Sequence, residues 1–210
     1  MEKAIVVLGG SFNPPTLAHQ RLMLGAVEAI GAEKGIFVPS SHAYVSAKMR
    51  RGHPGEVLPE SVRLRMLQVM AEEDPRLAVE DCEFHRTGKA YTFETMETIG
   101  EKYPDAALYF LAGGDKISVI SRWHRIREFL ERFQILVVRR DGDDPEAALR
   151  ENPFLSQHRD RFRVIPAPGG LEGISSSAGR EKLRNGEAGA GQLLHPGVWL
   201  LLQTNGGLRK

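Results

Sequence analysis

The stretch KAIVVLGGSFNPPTLAH, residues 3–19, decides how the chain is read. KAIVVL is a short, continuous apolar run, the pattern of a strand buried on both faces. From Leu17 onward, LAHQRLMLGAVEAIG has apolar residues at helical spacing, and Gly31 suits its C-terminal stop. Between strand and helix stand Gly9, Gly10, Ser11, Phe12, Asn13, two prolines and Thr16. Thr16 is expected to cap the helix, its hydroxyl accepting from a free N–H of the first turn. His19 then lies in that turn, where unpaired N–H groups and the positive helix end favour an anion. The glycines permit close backbone approach, and Pro14 and Pro15 fix φ, so the loop is shaped before anything binds. A rigid turn with a surface histidine would use some of these residues. The combination favours a phosphate site. The loop lacks the Gly-Lys-Ser/Thr ending of the common NTPases and the G-x-G-x-x-G fingerprint of dinucleotide folds.

Outward from there, strands and helices alternate. GIFVP (35–39) reads as a strand, and SSHAYVSAKMRRGHPGEV (40–57) as a long basic loop. PESVRLRMLQVMAEE (59–73) reads as a helix, RLAVEDCEF (76–84) as a strand and YTFETMETIGEKY (91–103) as a helix. ALYFLAGGD (107–115) is a strand running into a turn, SRWHRIREFLERF (121–133) a helix and QILVVRR (134–140) a strand. Residues 141–162 resist assignment, and RVIPAP (163–168) suits a final strand. SSSAGREKLRNG (175–186) suits a capped helix, NGEAGAGQ (185–192) a loose connection and PGVWLLLQTNG (196–206) a short terminal helix. This order predicts an α/β fold: one domain over 1–210 with a doubly wound parallel sheet. The main sheet falls in 1–140 and a small, largely helical C-terminal part in 141–210. In such sheets ligands sit beyond the strands' carboxyl ends.

Bulk properties narrow the classes. The 210 residues carry 28 Lys and Arg against 27 Asp and Glu, a net charge of +1. That balance gives no general affinity for nucleic acid, so charges must act locally. One cysteine, Cys82, cannot close an internal disulfide, which fits a cytoplasmic setting. The N-terminal apolar run is too short for a membrane span. No Cys/His cluster has zinc spacing, so no protein-held metal is expected.

GISSSAGR (173–180) supplies a second motif. Ser175, Ser176 and Ser177 open a helix, and Arg180 follows about one turn later. Hydroxyls, free N–H groups and a planar guanidinium suit phosphate oxygens. Alone, the segment would read as a capping cluster. With the first motif, GGSFNPPTLAH, the chain resembles the nucleotidyltransferases that carry a (H/T)-x-x-H signature, here Thr16 and His19, and an I-S-S-T-x-x-R signature near the C-terminus. The resemblance runs over about residues 3–186 and implies a Rossmann-like nucleotidyltransferase fold. It also implies ATP contacts from Gly9, Gly10, Ser11, Phe12, Thr16, His19, Gly113, Asp115, Ser175, Ser176, Ser177 and Arg180. His19 and Arg180 would be the catalytic pair. Gly179 departs from the family, which usually has a large apolar residue there. A helix-interior glycine costs about 1 kcal/mol, so Arg180 is expected to be less firmly held.

GKAYTFETM (88–96) and LAGGDKISVISRWHRI (111–126) resemble segments of the nicotinate and nicotinamide mononucleotide adenylyltransferases. This implies Tyr91 and Thr92 near a pyridine ring, Trp123 stacked on it and Asp115 accepting from the ATP ribose. Ser11, Asn13, Lys48 and Arg139 complete the implied mononucleotide set. By spacing alone, Trp123 with Ile126 and Leu130 reads as core, and Lys48, Arg50 and Arg51 as a solvated loop. The resemblance thus implies adenylyl transfer from ATP to a pyridine mononucleotide, with Mg²⁺ on the triphosphate, and leaves acid or amide open. Pantetheine-phosphate adenylyltransferases share GSF-x-P-x-T-x-x-H but usually end the second motif in Lys. A catalytically weak nucleotide-binding relative is a further alternative, motivated by Gly179 and Gly114. Members differ in assembly, and a homodimer is the expectation carried here.

Overall fold

The computed structural model describes residues 3–50, 57–139 and 142–204. Six strands form one parallel sheet: β1 (Lys3–Gly10), β2 (Lys34–Pro39), β3 (Leu77–Val79), β4 (Ala106–Gly113), β5 (Gln134–Arg139) and β6 (Phe162–Pro166). Their order is β3-β2-β1-β4-β5-β6, the doubly wound order, which reverses at β1. The β1–β4 register runs from Lys3↔Ala106 to Val7↔Phe110. Ile135 to Val138 of β5 are all buried, as a central parallel strand requires.

The helices are α1 (Leu17–Ile30), α2 (His42–Met49), α3 (Glu60–Ala71), α4 (Thr92–Lys102), α5 (Ile117–Ile120), α6 (Ile126–Arg132), α7 (Pro145–Glu151), α8 (Pro153–Gln157), α9 (Ser176–Arg184) and α10 (Pro196–Thr204). Among the described residues, no helix is long and apolar enough to cross a membrane. The expected α/β sheet is present. Gly31 ends α1 at φ +65°, and the following Ala32 N–H returns to Val27 C=O, a glycine C-terminal stop.

Five expectations change. The first strand continues through both glycines, because Ser40 N–H bonds Gly10 C=O at 2.8 Å. The basic loop holds a helix, α2: Ser41 accepts from Tyr44 N–H, and Val45 and Met49, four apart, are buried. Its last part, with Arg51 and Gly52, lies outside the described residues. The segment 121–133 is helical only from Ile126, since Arg125 adopts a left-handed φ of +53°. The Gly-rich stretch holds a 3-10 helix, Ala188–Leu193; there a Cβ on Gly191 would stand 3.3 Å from the Trp199 ring, so the glycine admits an aromatic contact. The expected strand over 76–84 shortens to β3.

The chain divides into two compact units. One comprises Met1–Leu8, Met23–Gly35 and Tyr91–Pro168; the other comprises Gly9–Leu22, Ile36–Ala90 and Gly169–Lys210. In the first, an aromatic cluster of Phe93, Phe110, Phe129 and Phe133 packs edge-to-face. In the second, Leu58 and Met66 pack with Leu194, Val198 and Leu202, joining α3 to α10.

Candidate active site

The second unit holds both motifs. Thr16 is fully buried and precedes α1, as expected of a cap. Its bonding differs from that expectation. Thr16 N–H donates to His19 Nδ1 at 3.0 Å, and Thr16 Oγ1 stands 2.8 Å from the same nitrogen. The imidazole thus accepts from the N–H of the residue before the helix, the part that Glu or Gln at the third helical position plays in a capping box. A backbone N–H can only donate, so Nδ1 accepts and the ring proton sits on Nε2. The spacing of three residues between Thr16 and His19 thus sets a tautomer. Phe12 supports the ring from its edge, with centroids 5.0 Å apart.

Between β1 and α1 the loop is held at three carbonyls. Arg180 Nη1 donates to Asn13 C=O at 2.7 Å. Ser176 Oγ donates to Pro14 C=O at 2.7 Å. Arg63 Nη1 donates to Ser11 C=O at 2.9 Å. The Asn13–Pro14 peptide is cis. Phe12 has φ +42°, the left-handed region that a bulky residue enters only at a cost. A Cβ on Gly10 would lie 3.2 Å from the Phe12 ring, so Gly10 makes room for that ring.

The three serines divide the work. Ser175 caps α9, accepting from Ala178 N–H at 3.1 Å. Ser176 ties down the loop. Ser177 accepts from Arg180 Nη2 at 3.2 Å. Arg180 is therefore buried and doubly held, and the expected looseness from Gly179 is absent. A Cβ on Gly179 would meet only a Leu194 methyl, at 3.8 Å. Asn13 is also committed to protein: its Oδ1 accepts from Leu58 N–H at 2.9 Å. Lys48, exposed on α2, brings Nζ to 3.5 Å from Ser11 Oγ, so these two implied phosphate contacts meet.

Arg63 was not singled out by the sequence reading. It lies on the buried stripe of α3, three, four and seven residues before Met66, Leu67 and Met70, all buried. A charge at an apolar position of a helical pattern is the signal that marks it. Burial pushes its guanidinium pKa down, while Glu60 and Glu83 oppose that.

The first unit holds the remaining implied residues. β4 ends at Gly113, and Gly114–Lys116 form a 3-10 turn. A Cβ on Gly113 would meet Asp115 Oδ1 at 2.5 Å, so glycine there lets the carboxylate fold back over the strand end. Asp115 Oδ2 also accepts from Lys116 Nζ at 2.6 Å. Gly114 packs against Asp143 and Pro145, which gives that departure a packing reason. Tyr91 precedes α4, and its ring stacks on His124 at 4.2 Å between centroids. His124 Nε2 lies 3.3 Å from Glu94 Oε1. Thr92 opens α4. Trp123 is half-buried, edge-on to Phe110 and Phe129. One of its edges belongs to the core, as its spacing suggested, although it precedes the helix. The Arg125 guanidinium lies 3.9 Å from the Phe93 ring centroid. Arg139 is exposed at the end of β5; Arg140, read with it, lies outside the described residues.

Comparison with known proteins places this arrangement. The profile of the family described as Cytidylyltransferase-like matches residues 7–182. A relative from Carboxydothermus hydrogenoformans, named "Probable nicotinate-nucleotide adenylyltransferase", is 33% identical over 180 residues, 86% of each chain. One of the same name from Lachnoclostridium phytofermentans is 29% identical over 188 residues, 89% of this chain and 90% of that one. Among solved structures, the Plasmodium falciparum nicotinic acid mononucleotide adenylyltransferase complexed with NaAD superposes with a TM-score of 0.75. That pair is 19% identical, with 98% of this chain and 97% of the other covered, a likeness of fold. The family match spans both motifs, and the chain belongs to the cytidylyltransferase-like family, among the relatives named nicotinate-nucleotide adenylyltransferases.

Proposed function

We propose that this chain transfers the adenylyl group of ATP to nicotinate mononucleotide, releasing pyrophosphate and forming the acid dinucleotide of NAD synthesis. The observation that carries this is the clasp of the two motifs: Arg180 and Ser176 of α9 hold the Asn13 and Pro14 carbonyls of the first loop. The names of the relatives favour the acid over the amide.

In the reaction an oxygen of the mononucleotide phosphate attacks the α-phosphorus of ATP, and the bond to the β-phosphate oxygen breaks. No covalent enzyme intermediate is required. The site must bring two anions together and stabilise charge on the leaving pyrophosphate. His19 supplies an Nε2–H donor, because Thr16 occupies Nδ1. Ser11 and Lys48 receive the mononucleotide phosphate. Arg180 acts by holding the loop, and the first-turn N–H groups of α9 face the β- and γ-phosphates. Asp115 takes the ribose hydroxyls, and Tyr91, Thr92 and Trp123 frame the pyridine ring, with Arg139 as a further cation.

Among the described residues, no group of three or more His, Cys, Asp or Glu side chains could hold a metal ion. The donors at the loop are N–H, ammonium and guanidinium groups, which suit anions. Mg²⁺ fits as a passenger on the triphosphate oxygens, where it offsets charge.

The test offers nicotinate mononucleotide, nicotinamide mononucleotide and phosphopantetheine side by side with ATP, and separates products by chromatography. The acid dinucleotide is expected to dominate. Turnover of phosphopantetheine alone, or ATP binding with no acceptor used, overturns the proposal.

A further inference from the structure

We propose that Arg63 is a positioning residue that sets the direction of the Ser11–Phe12 peptide, so that the Phe12 N–H faces the phosphates. This rests on the adenylyl-transfer reading of the loop and names a residue that neither signature contains.

The first support is peptide geometry. Arg63 is fully buried, and its Nη1 binds Ser11 C=O at 2.9 Å. In a trans peptide the carbonyl and the following N–H point to opposite sides. Drawing Ser11 C=O toward the interior therefore turns Phe12 N–H away from it. The Ser11 and Phe12 N–H groups have no backbone acceptor among the described residues.

The second support is the conformation of Phe12. Its φ of +42° is unfavourable for a residue with a bulky side chain. Flipping the preceding peptide would carry that φ to about −140°, the ordinary extended region. The same flip would point Ser11 C=O outward, where it would repel a phosphate. Local preference thus favours the wrong orientation, and an interaction on the carbonyl must hold the right one.

The third support is the cost of the arrangement. Arg63 Nε also binds Leu58 C=O at 3.2 Å, and Leu58 N–H binds Asn13 Oδ1, so the fork grips the loop directly and through Leu58. Its Nη2 is buried without a hydrogen-bond partner, and its guanidinium lies 5.4 Å from the Phe84 ring. An apolar residue would fill the space without an incompletely satisfied buried cation.

The test compares wild type with Arg63→Met and Arg63→Lys. It uses thermal unfolding, calorimetric titration with inorganic pyrophosphate and steady-state kinetics with nicotinate mononucleotide. One charge-assisted hydrogen bond lost and one carbonyl turned toward the anion should weaken pyrophosphate binding about tenfold or more in folded Arg63→Met. Added guanidinium ion should restore part of that loss in Arg63→Met and nothing in wild type. Arg63→Lys, with one point donor for two carbonyls, should lose about threefold or more, and it decides the matter if Arg63→Met does not fold. Folded variants that bind pyrophosphate within twofold of wild type overturn the proposal, as does a wild type that does not bind pyrophosphate. Wild type that binds pyrophosphate but adenylylates no pyridine mononucleotide defeats the functional reading, while the Arg63 effect on binding still stands or falls by itself.

Discussion

The loop between β1 and α1 in the second unit and the aromatic group of the first are built differently. In the loop, the carbonyls of Ser11, Asn13 and Pro14 are gripped by Arg63, Arg180 and Ser176, and Asn13 is almost fully buried. In the aromatic group, Tyr91 is 38% exposed and rests on His124, itself exposed. On the proposed reading, the difference follows from what each would offer a ligand. Backbone N–H groups can flip, so a site made from them must be braced from behind. A ring face binds by stacking whichever way its edge turns, so Tyr91 and Trp123 can stay partly free.

Breaking the braced side should have the largest effect. His19→Ala removes both the Nε2–H donor and the acceptor for Thr16 N–H. It should lower kcat on the order of a hundredfold or more, with circular dichroism unchanged. A rate near wild type would remove the imidazole from the mechanism. Tyr91→Ala should act mainly on the acceptor, raising its KM about threefold to tenfold with kcat and melting temperature nearly unchanged. An equal fall in kcat would mean that the aromatic group is as tightly coupled to the chemistry as the loop. Gly179→Ala should sharpen the contrast in the other direction. The site has room for a methyl, so stability should rise by about 0.5–1 kcal/mol while kcat/KM holds. The smallest effect belongs to Asp74, at the turn from α3 to β3. The Arg76 side chain and N–H hold its carboxyl at about 2, below the ordinary 3.8. A depressed carboxyl stabilises the fold above its unfolded value and loses that contribution as pH falls from about 4 to about 2. Asp74→Asn should flatten that part of an acid unfolding curve, modestly, since the pair is partly exposed.

Much of this was legible in the sequence because its signals are local. The apolar run to Leu8, the helical spacing after Leu17 and the stop at Gly31 each depend on a few adjacent residues. The order of such elements was enough to predict a doubly wound sheet. Helix α2 was concealed by the polar and basic residues of the stretch around it, although Val45 and Met49 stand one turn apart. The break before Ile126 rests on the left-handed backbone of Arg125, which Ile126 and Leu130 at helical spacing concealed. At the site, the two motifs could be named but the contact of Arg180 with Asn13, 167 residues apart, could not. Thr16 was read as a cap through its hydroxyl. Its true partner, the His19 ring, was already in the motif. Arg63 was visible only as a charge in an apolar stripe, and its meaning came from the carbonyl it holds.

The most direct test follows the label from ATP carrying ³²P at the α-phosphorus, incubated with nicotinate mononucleotide and Mg²⁺. The account expects the label in the dinucleotide and unlabelled pyrophosphate in equal amount. Label recovered in AMP or ADP, or left wholly in ATP while the nucleotide binds, would contradict it.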